Sequence, residues 1–245
     1  MTLMLRTAAL SDPGLVRANN EDAAYAGARL AAVADGIGGQ PAGEVASDIV
    51  VRALAALDSA PVAADPAGAL YDAVNAANQE IRAATAADAA SDGMGTTVTA
   101  ALLHGDQLAV IHVGDSRGYL LRDGLLFQIT RDDTFVQALV DKGVLSAEEA
   151  RAHPQRSLVT NAIQGDHMSP NLGMVAVQAG DRLLLCSDGL SDVVTDEVIA
   201  QVLTAYTDRQ ECTEHLVKLA HQAGAPDNVT VVVADITGSG TGQAG

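Results

Sequence analysis

The sequence Ala31-Ala32-Val33-Ala34-Asp35-Gly36-Ile37-Gly38-Gly39 is a short apolar run that stops at a carboxylate followed by glycine. An apolar run of this length, bounded by turn residues, is typical of a buried strand, although its period alone does not exclude a helix. An aspartate beside a residue without a side chain lets a carboxylate and a backbone carbonyl approach one cation together. The stretch therefore predicts a strand that ends in a metal ligand.

The same pattern returns later in the chain. Residues 110–114 (Val-Ile-His-Val-Gly) lead into Asp115, and residues 183–187 (Leu-Leu-Leu-Cys-Ser) lead into Asp188. In the reverse order, Asp227 comes just before the apolar run 229–233. If these strands share a sandwich, their loops collect at its two ends, and several of the carboxylates are expected to meet there.

Composition narrows the classes of function. The chain has 245 residues, of which 48% are hydrophobic and only 2% aromatic, so a sizeable core must be built from Ala, Val, Leu and Ile. Its 31 acidic and 14 basic residues give a formal net charge of −17, which argues against nucleic acid and anionic membranes as partners. The sequence has no apolar run long enough to span a membrane and no signal-peptide pattern, so we expect no direct membrane insertion by this chain.

Polarity patterns predict the order of helices and strands. We expect helices over residues 41–57, 67–87, 132–142, 195–204 and 209–222, with Ser146 and Glu149 spaced as a capping box. Strands are predicted over residues 3–10, 96–103, 107–113, 118–121, 125–129, 172–177, 181–187 and 229–236, and as a pair that ends at Asp35. This order indicates one α+β domain with two packed sheets and helices outside them.

Six acidic residues are candidates for a shared site: Glu21, Asp22, Asp35, Asp115, Asp188 and Asp227. A single aspartate at a strand end is usually a turn former. Several together are harder to explain that way, because crowded carboxylates repel one another unless a cation lies among them. Oxygen ligands without neighbouring His or Cys favour Mg²⁺ or Mn²⁺ over zinc.

Other polar candidates are expected to be structural. His112 lies inside a predicted strand and is expected in the core, and Arg117 is expected to pair with a neighbouring acid. Cys186 falls in an apolar strand and Cys212 in an amphipathic helix, so both are expected as reduced core residues in a cytoplasmic protein.

Ordered motifs over nearly the whole chain make it similar to a known family. They are Arg17–Asp22 (Arg-Ala-Asn-Asn-Glu-Asp), Asp35–Gly39, Gly95–Thr97, Gly114–Arg117, Ser187–Leu190 and Pro226–Thr230. In this order they resemble the metal-dependent type 2C Ser/Thr protein phosphatases, the PPM family. Residues 134–137 and 153–157 resemble the bacterial branch, above all actinobacterial phosphatases that oppose Ser/Thr kinases. The resemblance implies a four-layer α-β-β-α sandwich, with two antiparallel sheets flanked by helix pairs.

The resemblance also implies a metal site with two core ions, Mn²⁺ or Mg²⁺. Asp35 would bridge them, and Gly36 would offer its backbone carbonyl to the second. The remaining implied ligands are Asp188 and Asp227 on the first ion, and Glu21 and Asp22, which hold metal-bound waters or ligate directly.

Substrate contacts follow from the same resemblance. Arg17 would grip the substrate phosphate, a role that suits a guanidinium fork. Bacterial relatives often hold a third metal ion, here matching Asp115 and Asp188 with Ser157 nearby. Residues 132–157 match the family's flap, within a catalytic domain over residues 1–237; the glycine-rich residues 238–245 are expected to be a flexible tail or linker.

One departure from the family pattern concerns the proton for the leaving group. Animal relatives place a histidine after the Asp-Gly pair, whereas this chain has Ile37, and Gln40 stands where many bacterial relatives have a second histidine. The implied reaction is in-line attack on phosphorus by a metal-activated water. The leaving alkoxide would then take its proton from water.

The resemblance implies hydrolysis of phosphoserine and phosphothreonine in proteins, within bacterial kinase–phosphatase signalling. Its expected partners are phosphorylated proteins, among them Ser/Thr kinases and their substrates, and the domain is expected to be a monomer. Two alternatives stay open: a catalytically silent phosphoprotein-binding module, and a phosphatase of a partner-switching anti-anti-sigma protein. A longer, membrane-anchored parent protein is a further hypothesis, because such an anchor follows the catalytic domain in related actinobacterial proteins.

Overall fold

A computed structural model describes residues 2–38, 42–88 and 93–238. Its helices are α1 (Ala42–Ser59), α2 (Pro66–Ala87), α3 (Phe135–Asp141), α4 (Ala147–Arg151), α5 (Asp188–Ser191), α6 (Asp196–Ala205) and α7 (Arg209–Gln222). Its strands are β1 (Leu3–Asp12), β2 (Ala23–Ala26), β3 (Leu30–Ala34), β4 (Gly36–Ile37), β5 (Gly95–Thr96), β6 (Val98–His104), β7 (Gln107–Val113), β8 (Arg117–Arg122), β9 (Leu125–Gln128), β10 (Asn171–Ala176), β11 (Arg182–Cys186) and β12 (Val229–Gly238).

The strands form two five-stranded sheets and one short pair. The first sheet has the order β1-β12-β11-β8-β9, the second has the order β10-β7-β6-β3-β2, and β4 pairs with β5. Neighbouring strands in these sheets are antiparallel. Helices α1 and α2 pack on the second sheet, and α6 and α7 pack on the first. The predicted four-layer sandwich is therefore confirmed.

Burial on both faces explains why the opening stretch is apolar at every position. All five residues of β3 are buried. Ala31 and Val33 belong to the core between the two sheets, whereas Leu30 and Ala32 belong to the core beneath α1 and α2. Because successive side chains in a strand point to opposite faces, a strand covered on both sides needs a continuous apolar run.

Two details differ from the expectations. The predicted helix over 132–142 begins later, at Phe135, because the Thr134 side chain accepts a hydrogen bond from the Gln137 amide at 3.1 Å and so caps the helix. The short elements are the second difference: α5 and β4 were not predicted, and the predicted strand over 96–103 is divided at Thr97 into β5 and β6. The capping box of Ser146 and Glu149 at the start of α4 is confirmed.

Some expectations concern residues outside the described ranges. Gly39, Gln40, Pro41 and residues 239–245 are among them. Within residues 2–38, 42–88 and 93–238, no helix has both the length and the apolar character that a membrane span requires.

Candidate functional site

A cavity of about 780 Å³ opens at the end of the sandwich where β3 and β11 finish and β12 begins. Its wall includes most of the predicted site residues: Arg17, Glu21, Asp35, Gly36, Asp115, Ser157, Asp188 and Asp227. Ile37 also lines it. The structure thus brings together carboxylates from five separate motifs. Asp22 is not part of the cavity wall, but its side chain is held beside the end of β11 by Ser187.

Asp35 is fixed through its backbone, which leaves its carboxylate available to the cavity. Its amide donates to Thr97 Oγ1 at 3.0 Å, and its carbonyl accepts from the Thr97 amide at 2.8 Å and from Thr96 Oγ1 at 2.9 Å. Gly36 pairs with Thr96 in the short β4–β5 ladder. A Cβ on Gly36 would lie 2.4 Å from the carbonyl oxygen of Gly43, so only glycine fits beside Asp35.

Asp22 and Asp188 each carry an unsatisfied carboxylate oxygen. Asp22 Oδ2 accepts a hydrogen bond from Ser187 Oγ at 2.8 Å, and Ser187 Oγ in turn accepts from the Thr230 amide at 3.0 Å. Within the described part of the chain, Asp22 Oδ1 and Asp188 Oδ1 are buried without a hydrogen-bond partner. A buried oxygen without a donor is costly, and a hard cation is the partner that such oxygens suit.

The acidic groups also perturb one another electrostatically. Burial raises the pKa of Asp35 well above its ordinary value, and the charges of the neighbouring carboxylates raise it further. The pKa of Asp188 is raised for the same two reasons, with Asp115 the largest charge contribution. Burial raises the pKa of Asp115 to about 7 and that of Asp22 to about 6. Such a group of carboxylates is stabilised by positive charge placed among it.

The donor chemistry therefore fits a divalent cation. As they stand, no three Asp, Glu, His or Cys side chains of the described residues form a ready ligand set. Arg17 Nη2 donates to Asp227 Oδ2 at 2.7 Å and so occupies an oxygen of one of the predicted ligands. The Arg17 side chain is 56% exposed and lies at the cavity mouth. The ligand roles remain predictions.

Asn228 is a site residue that the sequence analysis missed. Its Oδ1 accepts a hydrogen bond from the Glu21 amide at 2.9 Å, and its Nδ2 donates to the carbonyls of Pro13 at 3.0 Å and Asn19 at 2.8 Å. One amide side chain therefore positions the loop that carries Arg17 and Glu21. The available signal was its place inside the motif 226–230, directly after Asp227.

The predicted structural residues behave as expected. Arg117 donates from Nη2 to Asp132 Oδ2 at 2.7 Å and from Nε to both oxygens of the same carboxylate. His112 is buried, and its Nδ1 lies 2.8 Å from Thr99 Oγ1. Cys186 and Cys212 are both buried and free. The expected pairing of Arg117 and the expected burial of His112 and the two thiols are confirmed.

A second, smaller cavity of about 170 Å³ lies beneath α3 and α4. Asp115 and Asp188 line it as well as the main cavity, and Asp192 joins them there. Ser157 approaches the same region, because its Oγ lies 3.4 Å from Asp192 Oδ2. The residues predicted for a third ion are thus near one another at the junction of the two cavities.

Comparison with curated proteins gives bacterial relatives that are named as phosphatases. The chain is 55% identical to the serine/threonine protein phosphatase PstP of Mycobacterium tuberculosis over 243 residues, which are 99% of this chain and 47% of that protein. It is 35% identical to the protein phosphatase PhpP of Streptococcus pneumoniae over 236 residues, 93% of this chain and 96% of that one. The chain therefore spans about half the length of the mycobacterial relative.

Solved structures agree with the fold. The crystal structure of M. tuberculosis PstP superposes with a TM-score of 0.93 at 55% identity, covering 96% of this chain and all of that one. The catalytic domain of PstP in complex with two manganese ions gives a TM-score of 0.92 at 54% identity, covering 97% of this chain and 100% of that one. A family model described as "Protein phosphatase 2C" matches residues 17–222. The chain belongs to the protein phosphatase 2C family.

Proposed function

We propose that this domain hydrolyses phosphoserine and phosphothreonine in proteins, with divalent cations as cofactors. The observation that carries the proposal is the convergence of Glu21, Asp35, Asp115, Asp188 and Asp227 on one cavity with Arg17 at its mouth. Its relatives support the reaction class, since they are named as Ser/Thr protein phosphatases.

In this proposal, Asp35 would bridge two core cations, and Gly36 would offer its backbone carbonyl to the second. Mn²⁺ or Mg²⁺ ions, when bound, would supply an activated water and neutralise the charge of the phosphate. Support comes from the two partnerless oxygens of Asp22 and Asp188 and from the two manganese ions in the PstP catalytic domain. Asp188 and Asp227 would complete the first ion, and Glu21 and Asp22 would ligate directly or hold metal-bound waters. Asp115, Asp188 and Ser157 would hold a third ion.

Arg17 has the complementary role of binding the substrate phosphate. Its guanidinium lies at the mouth of an acidic cavity, where a phosphate entering the site meets it first. A planar fork of N–H donors binds the phosphate oxygens and holds the phosphoester in line for attack. Ile37 lines the cavity but has no proton to give, so the leaving alkoxide takes its proton from water.

The biological setting is part of the same proposal. We propose residues 1–237 as the catalytic domain, with residues 132–157 as its flap, acting as a monomer on Ser/Thr kinases and their phosphorylated substrates. A cytoplasmic location is supported by the two free, buried thiols, since reducing compartments preserve free cysteines.

The test is hydrolysis of p-nitrophenyl phosphate and of a phosphothreonine peptide with Mn²⁺, with and without chelator. We expect activity in the wild type that chelator abolishes and that Asp35→Asn reduces at least about 100-fold, because the loss of a bridging ligand disrupts both core ions. Asp123→Asn, at an exposed turn, is the matched control and should retain wild-type activity.

Two other outcomes separate the alternatives. No metal-dependent turnover by the wild type, together with binding of the phosphopeptide, would indicate the silent binding module. Turnover confined to a phosphorylated anti-anti-sigma protein, with none on kinase-derived phosphopeptides, would indicate the partner-switching phosphatase.

A further inference from the structure

Asp133 is an acidic residue for which the sequence analysis found no role. It lies just before α3, at the start of the segment between β9 and β10 that carries the predicted flap. The ion pairs found among the described residues do not involve Asp133. Its carboxylate instead accepts hydrogen bonds from neutral amide groups: the Gly114 backbone, the Asn161 side chain and the Asn171 side chain. A carboxylate with these hydrogen bonds fixes the positions of the neutral groups that donate to it, and it forms no ion pair among the described residues.

The first group that Asp133 places is Gly114, the residue directly before Asp115. The Gly114 amide donates to Asp133 Oδ2 at 3.1 Å, and the Asp133 amide donates back to the Gly114 carbonyl at 2.6 Å. Gly114 has a φ of 106°, and a Cβ there would lie 2.6 Å from Thr97 Cγ2. The backbone that presents Asp115 is therefore held in a conformation only glycine adopts easily, with Asp133 bonded to both of its polar groups.

The second group is the part of the cavity wall that follows the predicted flap in the chain, at Thr160 and Asn161. Asp133 Oδ2 accepts from Asn161 Nδ2 at 2.9 Å, and the Asp133 carbonyl accepts from the Thr160 amide at 2.8 Å and from Thr160 Oγ1 at 2.9 Å. Thr160 and Asn161 both line the main cavity. Asn171, at the start of β10, donates to Asp133 Oδ1 at 3.2 Å. One residue thus ties both ends of the flap segment together.

We infer that Asp133 is a positioning residue that couples the seating of the flap to the position of Asp115. The inference rests on the proposed function, in which Asp115 is a ligand of the third ion. If the flap segment lifts, Asp133 and its bonds to Gly114 move with it, and Asp115 loses its fixed backbone. Conversely, a cation that fixes Asp115 also favours the seated flap, because the same hydrogen bonds connect them.

The kinetic test compares Asp133→Asn, Asp115→Asn and the double variant by Mn²⁺ titration of p-nitrophenyl phosphate hydrolysis. Asp133→Asn keeps the side chain nearly the same size but replaces one acceptor oxygen with an NH₂ group. That group cannot accept hydrogen bonds from the Gly114, Asn161 and Asn171 amides, so some of these bonds are lost. We expect this variant to raise the Mn²⁺ concentration for half-maximal activity about tenfold, the effect typical of a residue that orients a ligand. The KM for the substrate should stay near the wild-type value, and the double variant should be no worse than Asp115→Asn alone.

The second test is amide hydrogen exchange of the metal-free protein, which does not depend on activity. Asp133→Asn should speed exchange at residues 114–116 and 158–162 together, whereas the control Asp123→Asn should change neither. Additive effects of the two substitutions on Mn²⁺ activation, or exchange that changes at one of the two segments only, would overturn the inference. If the wild type shows no Mn²⁺-dependent activity the proposed function fails, and the exchange result still decides whether Asp133 couples the segments.

Discussion

Ile37 stands where the resemblance to animal members of the family implies a histidine. It follows the Asp35-Gly36 pair, pairs with Gly95 in the short β4–β5 ladder and lines the cavity. An aliphatic side chain neither accepts nor donates a proton, so in the proposed reaction the release of a basic leaving group would depend on water and on bound cations. Hydrolysis of an aryl phosphate releases a stabilised phenolate. Hydrolysis of phosphoserine or phosphothreonine releases a strongly basic alkoxide.

This difference predicts unequal metal dependence for the two classes of substrate. Hydrolysis of a phosphothreonine peptide should need more Mn²⁺ for half-maximal rate than hydrolysis of p-nitrophenyl phosphate by the same sample. Ile37→His should narrow the gap by supplying a general acid of the kind that contributes about 10²–10⁴-fold in other enzymes. Superimposable Mn²⁺ titration curves for the two substrates in the wild type would contradict the prediction.

The raised carboxylate pKa values predict how metal-free stability varies with pH. The folded pKa of Asp115 is about 7, whereas an unfolded aspartate titrates near about 3.9. Between these values the folded state binds more protons, so stability rises as pH falls through about 7 towards 4. In chelator, the wild-type Tm should therefore rise relative to that of Asp115→Asn when the pH is lowered from 8 to 6.

The comparison between the two proteins is essential because His112 acts in the opposite direction. Burial lowers its pKa, so its protonation at low pH favours unfolding in both proteins alike. Calorimetry at four or five pH values measures the difference. A wild-type Tm that falls as steeply with acid as that of the variant would show that Asp115 is ionised at neutral pH without a cation.

Among the helices, α4 lies in the proposed flap and begins with a complete capping box. Ser146 Oγ accepts from the Glu149 amide at 3.2 Å, and Glu149 Oε2 accepts from the Ser146 amide at 2.7 Å. Arg151, at the helix end, donates to the Ser191 carbonyl of α5 at 2.9 Å. The cap therefore stabilises the helix that joins the flap to the element beginning at Asp188.

Ser146→Ala should loosen this helix without unfolding the domain. Loss of an N-cap costs about 1 kcal/mol, and α4 is short and exposed, so the cost appears as local opening. Hydrogen exchange should quicken over residues 146–152, with the global Tm changed by no more than about 2–4 °C. Ser146→Asp, which can also cap, should restore slow exchange; a variant that opens as readily as alanine would contradict a capping role.

Elements were predictable from sequence where a local signal decides them. The helix over 209–222 was predicted with its observed ends, since Asp208 caps it and its apolar residues recur at helical spacing. The start of α3 was wrong by three residues because Thr134, not Asp132, accepts the capping hydrogen bond. Strands β4 and β5 have two residues each, too few for any period to show.

The sequence predicts the acidic residues of the site, but it does not predict the residues that position them. A carboxylate at a strand end is visible in sequence because polarity changes abruptly there, as at Asp35. Asp133 stands at no such change, and the change at Asn228 does not reveal its role, because each side chain bonds to backbone groups that only the folded chain brings near. The Arg17–Asp227 ion pair joins positions 210 residues apart, and no local pattern indicates it.

At the scale of the molecule, stability rests on the layer between the two sheets. Leu185 in β11 is fully buried there with Val33 and Val232. Leu185→Ala should cost about 2–5 kcal/mol, because a cavity in this layer is lined by both sheets and collapses poorly. Leu125→Ala on the edge strand β9, where Leu125 is 62% exposed, is the matched control and should cost less than about 0.5 kcal/mol.

Chemical denaturation followed by circular dichroism measures both variants. The slope of unfolding free energy against denaturant should match the wild type in each, since neither substitution alters the surface exposed on unfolding by much. Equal destabilisation by the two substitutions would show that the layer between the sheets is not the main source of stability.

The pairing of β1 with β12 determines where this domain can be joined to another molecule. Leu3 lies opposite Gly238, and Asp12 lies opposite Val229, two residues after Asp227. Along ten residues at about 3.3 Å each, β12 carries the chain roughly 30 Å from the cavity. The two described ends thus leave side by side at the rear of the molecule. An affinity tag, a fluorescent reporter or a surface tether attached there faces away from incoming substrate, and a short link between these ends would suit circular permutation.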